Sequence, residues 1–327
     1  MNVSPSGATI PGFDHHRVSV NGTELHYVAA GEAGSPVLLV HRFPETWWVF
    51  HKLIPLLSGQ HRVFAVDLRG FGDSATAEPE HDSATSAQDL SELIVRLGLG
   101  PVHLTGQDIS GPTTFRVAAT HPELVRSYGA IETGLPGFGL ETLADVTHGG
   151  AWHIGVLAAP GIPEMLLAGR ERAFIAEYAF PSLSATSDAF SKNDIDEFTR
   201  SCTRPDAFTG ASGLYRSMLT EGNEIREPAT HKLSMPVLAV GGGSGAFTSA
   251  TFRQAATDVS AVCHSTVSGT TRPSRHPTAS RTPSSPSTRR STPRNNITVP
   301  LQPGSLAGIV PAAAPNHPGR LRHRARP

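Results

Sequence analysis

Cysteine is scarce in this chain: two residues in 327, Cys202 and Cys263, with no paired spacing. That excludes a disulfide framework and a cysteine-based zinc site, and a reducing, cytoplasmic compartment is expected. Long apolar runs are also missing, and none reaches the roughly 20 residues that cross a bilayer. No membrane partner is therefore expected. Residues 1–14 hold no basic region followed by an apolar stretch, so no signal peptide is expected. Nothing in the pattern implies a metal or an organic cofactor. Acidic residues and lysine are absent from residues 263–327, which carry ten Arg. The formal net charge of -1 therefore hides a split, with 17 basic against 28 acidic side chains in the remainder. The same segment holds 11 of the 27 Pro and reads as a disordered basic tail on an acidic globular body.

At 38% hydrophobic, the body can build a large core. Arg17 to Val20 and Glu24 to Ala29 read as strands joined by Asn21-Gly22, a hairpin signal. Val37 to Val40 is wholly apolar, as a strand buried on both faces should be. Val63 to Val66, Val102 to Thr105, Tyr128 to Ile131 and Val237 to Val240 repeat that character. Helical patterning lies between them, notably over Ala87 to Leu97. Strands alternating with helices predict a doubly wound, mostly parallel α/β sheet. Between Glu132 and Met235 the pattern becomes helical and loop-rich, with no clear buried strand. The expected organisation is a core over 12–132, a helical lid over 133–230, a second core piece over 231–262 and the tail over 263–327.

Asp108 is the most telling residue. It sits in Gly106-Gln107-Asp108-Ile109-Ser110-Gly111, after the apolar run and before a helix over Thr113 to Thr120 that His121-Pro122 ends. The small residues at 106, 110 and 111 let a strand turn sharply into a helix, the geometry of a nucleophile elbow. A carboxylate at that point implies attack on a saturated carbon, giving an enzyme ester for water to break. Taken by itself, Asp108 reads more readily as a helix N-cap, and the rest of the chain reverses that.

Four segments in order carry a resemblance: His41-Arg42-Phe43-Pro44-Glu45-Thr46-Trp47-Trp48, Asp67-Leu68-Arg69-Gly70-Phe71-Gly72-Asp73-Ser74, the Asp108 elbow, and Met235-Pro236-Val237-Leu238. Together they resemble the α/β-hydrolase fold, in its epoxide hydrolase and haloalkane dehalogenase branch, over residues 12–262. The resemblance implies Asp108 as nucleophile, Glu132 as the acid that orients a histidine, and Tyr215 as proton donor to an epoxide oxygen. The alternative place for the acid, Gly241 to Gly245, has no carboxylate. Backbone N–H groups of Phe43 and Ile109 would form the oxyanion hole, with a cis Phe43-Pro44 bond. Trp47, Trp152 and His153 are expected against the substrate. Glu132 as a helix cap, and Tyr215 and His153 as lid core, remain alternative readings. Arg42 departs from the family's glycine and would be strained if that position needs a positive φ. Haloacetate dehalogenases place a tryptophan where Ile154 stands and arginines where Ile109 and Pro112 stand. A small, neutral, apolar substrate plus water is therefore expected, with an epoxide ahead of a haloalkane. A non-catalytic remnant is a third reading.

The resemblance also implies a catalytic histidine in a Gly-His-aromatic setting some 20 to 30 residues past Val240. The chain instead runs into Cys263-His264-Ser265-Thr266. GC-rich codons for Thr266 to Thr271, read two bases later, give Gly-Val-Gly-His-Tyr, so a frameshift is the leading account of the tail. A genuine basic tail that binds nucleic acid is the runner-up, but no aromatic is present to stack bases and no nucleic-acid partner is expected. His264, and less so His276, are substitute bases. Without a base, ester formation proceeds and hydrolysis stalls.

Overall fold

The computed structural model describes residues 2–184, 189–242 and 245–263. Among them nine strands form one sheet: β1 (Asn2–Val3), β2 (Asp14–Val20), β3 (Thr23–Ala30), β4 (Pro36–Val40), β5 (Arg62–Val66), β6 (Val102–Gln107), β7 (Val125–Ile131), β8 (Val237–Gly241) and β9 (Val259–Cys263). Their order is β1-β2-β3-β5-β4-β6-β7-β8-β9. The pairings β1-β2, β2-β3 and β3-β5 are antiparallel, and all those from β5 to β9 are parallel. The β2-β3 hairpin turns at Asn21 and Gly22, both with positive φ (42° and 71°), the geometry that favours Asn-Gly. β4 is the most central apolar strand, with Val37 to Val40 fully buried. Covering helices on both faces explain a run with no polar alternation.

The sheet positions the site through its order. β4 has β5 on one side and β6 on the other, so successive connections leave in opposite directions and open a crevice at the carboxyl ends of the strands. Val40 is level with Val66 and Gly106, Gln107 with Ile131, and Ile131 with Val240. The residues that follow these strands therefore emerge along one edge: His41-Arg42-Phe43, Asp67, Asp108, Glu132 and Gly242.

Between β7 and β8 the described chain is helical, including Trp152–Ala158, a π-helical turn at Phe174–Ala179, Lys192–Cys202, Thr209–Thr220 and Gly222–Ala229. Buried polar contacts tie it to the sheet. Trp48 donates its indole N–H to Asp194 at 2.9 Å, and Arg200 pairs with Asp73 at 3.0 Å. The helix Thr209–Thr220 comes close at Gly210, whose Cα would lie 2.6 Å from a Cβ placed on Gly70. Only a pair of glycines permits that approach, and it sets Tyr215 over the crevice. No helix among the described residues is long and apolar enough to cross a membrane. The tail expected over 263–327 lies outside the described residues apart from Cys263, which ends β9, so His264 and His276 lie outside them as well.

Candidate active site

The connection from β6 to the helix Gly111–Thr120 is a single tight turn. Asp108 lies at φ 49°, a left-handed conformation that Asp adopts more readily than most residues but still at some cost. Ser110 clamps the turn by accepting from Gln107 N–H at 2.9 Å and donating to Gln107 C=O at 2.8 Å. Thr133 donates its hydroxyl to the Asp108 carbonyl at 2.6 Å. A side chain at Gly111 would strike that same hydroxyl at 1.9 Å, so the turn closes only with glycine there. An ordinary N-cap needs none of these constraints.

Around the Asp108 carboxylate the described groups are mixed in charge. Its own neighbour Ile109 donates a backbone N–H to it. Burial, with Glu132 adding repulsion, pushes its pKa up to about 6 against the pull of Arg42 and of that N–H. Glu132 follows β7 with φ 46°, and its Oε1 accepts the Gly242 N–H at 3.1 Å. The backbone beyond β8, where an alternative acid would stand, thus serves the acid beyond β7. Arg42 reaches Glu132 at 3.5 Å and Glu45 at 3.0 Å. It is not among the residues with positive φ, so the strain expected from replacing a glycine is not realised. Phe43 is buried and joined to Pro44 by a cis bond.

From the helical segment Tyr215 faces this group at 4% exposure, edge-on to the Phe43 ring at 5.9 Å. Burial and the Asp108 charge hold its phenol well above the ordinary tyrosine pKa, so it stays a donor. His153 stands edge-on to Tyr215 at 6.3 Å, and its Nδ1 is 3.1 Å from the Tyr178 hydroxyl. Burial lowers the His153 pKa and favours the neutral ring. Trp152 is 48% exposed and packs on Tyr178 at 4.9 Å, to which it donates its indole N–H.

The structure therefore brings together Asp108, Ile109, Glu132, Phe43, Tyr215 and His153, with Trp152 at their outer margin. It does not bring Trp47 among them. That ring is 1% exposed and packs against His15 and Trp48 at 5.2 and 5.4 Å, while the Trp47 backbone N–H anchors the loop to Asp67 at 2.8 Å. Tyr178 went unread in the sequence. It shares the 133–230 segment with one other tyrosine, Tyr215, but the π-helical turn that aims it at His153 has no sequence signature. Among the described residues no histidine hydrogen-bonds Asp108 or Glu132. His41, adjacent in sequence, has both nitrogens committed, to the Leu68 N–H at 3.1 Å and the Arg42 carbonyl at 2.9 Å. Two open surface clefts, of about 810 Å³ beside Asn21 and about 530 Å³ beside Thr9 and His15, share none of the site residues.

The model of the α/β hydrolase fold family matches residues 35–148. The soluble epoxide hydrolase of Corynebacterium sp. (strain C12) is 31% identical over 241 residues, 70% of this chain and 80% of that protein. The fluoroacetate dehalogenase of Burkholderia sp is 27% identical over 242 residues, 72% of this chain and 79% of that protein. Among solved structures, Cfl2 from Burkholderia cenocepacia superposes with a TM-score of 0.71 at 28% identity, covering 80% of this chain and 92% of its own. The epoxide hydrolase CorEH does so with a TM-score of 0.68 at 26% identity, covering 77% and 90%. With an elbow, a switch-point crevice and relatives of this kind, the chain belongs to the α/β-hydrolase family, as a hydrolase of the epoxide hydrolase and dehalogenase type.

Proposed function

We propose that this chain opens small, neutral epoxides, with Asp108 as the nucleophile of a covalent mechanism. The observation that carries the reading is the opposition of Asp108, held at φ 49° on its elbow, to the buried phenol of Tyr215. One Asp108 oxygen attacks an epoxide carbon, the C–O bond breaks, and the oxygen released takes the Tyr215 proton. The resulting ester is hydrolysed by water, and Phe43 and Ile109 N–H groups support the charge that develops on its carbonyl oxygen. Glu132 orients the base for that second step, a histidine that the sequence resemblance implies some 20 to 30 residues past Val240. The helices of 133–230 act as a lid over the crevice, with His153 and Tyr178 ordering the Tyr215 side and Trp152 at its rim.

The absence of an arginine at Ile109 or Pro112 favours a neutral substrate, and the aliphatic Ile154 offers no halide donor. A dehalogenase reading keeps the same nucleophile and dispenses with Tyr215, since a halide leaves without a proton. Product analysis with an aryl epoxide and with a primary haloalkane separates the two. Epoxide consumption without halide release is expected. Halide release faster than epoxide loss would assign the dehalogenase activity instead.

A further inference from the structure

Arg42 is a buried cation at the edge of the crevice. Its side chain belongs to the loop after β4, is 7% exposed as a residue, and is surrounded by acids from two elements. Glu45 on the same loop accepts from it at 3.0 Å, and Glu132 beyond β7 lies 3.5 Å away. Asp108, on the elbow between them, is within its electrostatic reach, and the three acids together keep Arg42 protonated although burial opposes its charge. Its Nε is buried without a hydrogen-bond partner.

We propose that Arg42 is a positioning residue for Asp108: its buried guanidinium, held between Glu45 at 3.0 Å and Glu132 at 3.5 Å, sets a cation beside the elbow among charged groups that, among the described residues, are otherwise acids. This rests on the reading of Asp108 as the nucleophile. The groups facing Asp108 are Arg42 and Glu45 from the β4 loop, Glu132 from the end of β7, and neutral Tyr215 from the helix Thr209–Thr220. Of these Arg42 is the one cation. An opposite charge at this range lowers a carboxyl pKa by about 1 to 3 units. Asp108 sits at about 6 with Arg42 present, so it is largely ionised at pH 7. Without Arg42 half or more of it would be protonated there, and a neutral carboxylic acid does not open an epoxide.

The test is the rate of Asp108 alkylation by an aryl epoxide, read by intact mass and peptide mapping from pH 5 to 9. Arg42→Gln keeps a donor for Glu45 and removes the charge, and Arg42→Lys restores the charge. The expected result is a half-maximal rate near pH 6 for the parent chain and a midpoint at least about one unit higher in Arg42→Gln. The variant would be about twofold slower at pH 7 for a one-unit shift and about tenfold slower for a two-unit shift, and near the parent rate at pH 9, with the parent midpoint regained in Arg42→Lys. A purely structural role would lower the rate equally at every pH. If Arg42→Gln fails to fold, Arg42→Gln with Glu45→Gln removes the unpaired buried acid and gives the same readout. A midpoint that stays put while Asp108 is still labelled overturns the assignment of Arg42 alone. Absence of Asp108 labelling in the parent at every pH overturns the nucleophile reading and this inference with it.

Discussion

Two aspartates stand at the carboxyl ends of strands on either side of β4, and their surroundings are opposite. Asp67, after β5, accepts the N–H groups of Trp47 at 2.8 Å and Asp73 at 3.0 Å, with His26 Nδ1 at 2.8 Å. Although burial opposes its charge, those donors hold its carboxyl well below the usual range. Asp108, after β6, has one backbone donor, a neighbouring acid and a left-handed backbone, and its carboxyl is pushed up to about 6. One carboxylate is consumed in holding loops; the other is kept underused and therefore available to react. If Asp108 is the nucleophile we propose, the same residue type in the same topological setting takes a structural or a chemical role according to how many donors it is given.

The strongest way to break this contrast is to neutralise each aspartate in turn. Asp108→Asn should fold, since Asn tolerates the left-handed region, and should lose alkylation activity by about 10⁴-fold or more. Asp67→Asn should instead destabilise the chain by about 3 kcal/mol, because it leaves buried donors mismatched, with remaining activity falling in step with the folded fraction. Thermal melting and epoxide consumption, measured on both variants, check this.

The pH dependence sharpens the contrast further. Asp67 has a lowered folded pKa, so its stabilisation is present above the unfolded value near 4 and is lost as the pH falls below it. Asp108 has a raised one, so its ionisation erodes stability as the pH rises from about 4 through about 6, by on the order of 3 kcal/mol. Asp108→Asn should therefore gain stability over the parent between pH 4 and 7 and not below, as denaturant melts across that window would reveal. The smallest expected effect separates the substrates. Tyr215→Phe should slow epoxide opening by about 10²-fold and leave displacement of a halide nearly unchanged, as measured by paired single-turnover assays.

Much of this was legible in the residues because local and global signals agree there. The hairpin at Asn21-Gly22, the central apolar strand at Val37 to Val40 and the elbow at Asp108 each need specific residue types, and those types are present. The helix Gly245–Ala255 and β9 were not read, because the glycine run at 241–243 looks like a loop and β9 carries Ser260 at an exposed edge. Trp47, in the loop after β4, was expected against the substrate. Burial against His15 instead makes it part of the Asp67 cluster, a long-range packing decision that sequence order does not encode. Arg42 was read as a strained substitution. Its side chain could be placed only once β4, β6 and β7 were known to end at one level, bringing Glu132 to within 3.5 Å. Tyr178 depends on a π-helical turn set by tertiary packing.

The most direct test of the account is the site of covalent labelling. After incubation with an aryl epoxide at pH 7, the chain should gain the mass of one intact epoxide, and mapping should place it as an ester on Asp108, with none on Asp67 and none in Asp108→Asn. Labelling at another residue, or undiminished labelling in Asp108→Asn, would contradict it.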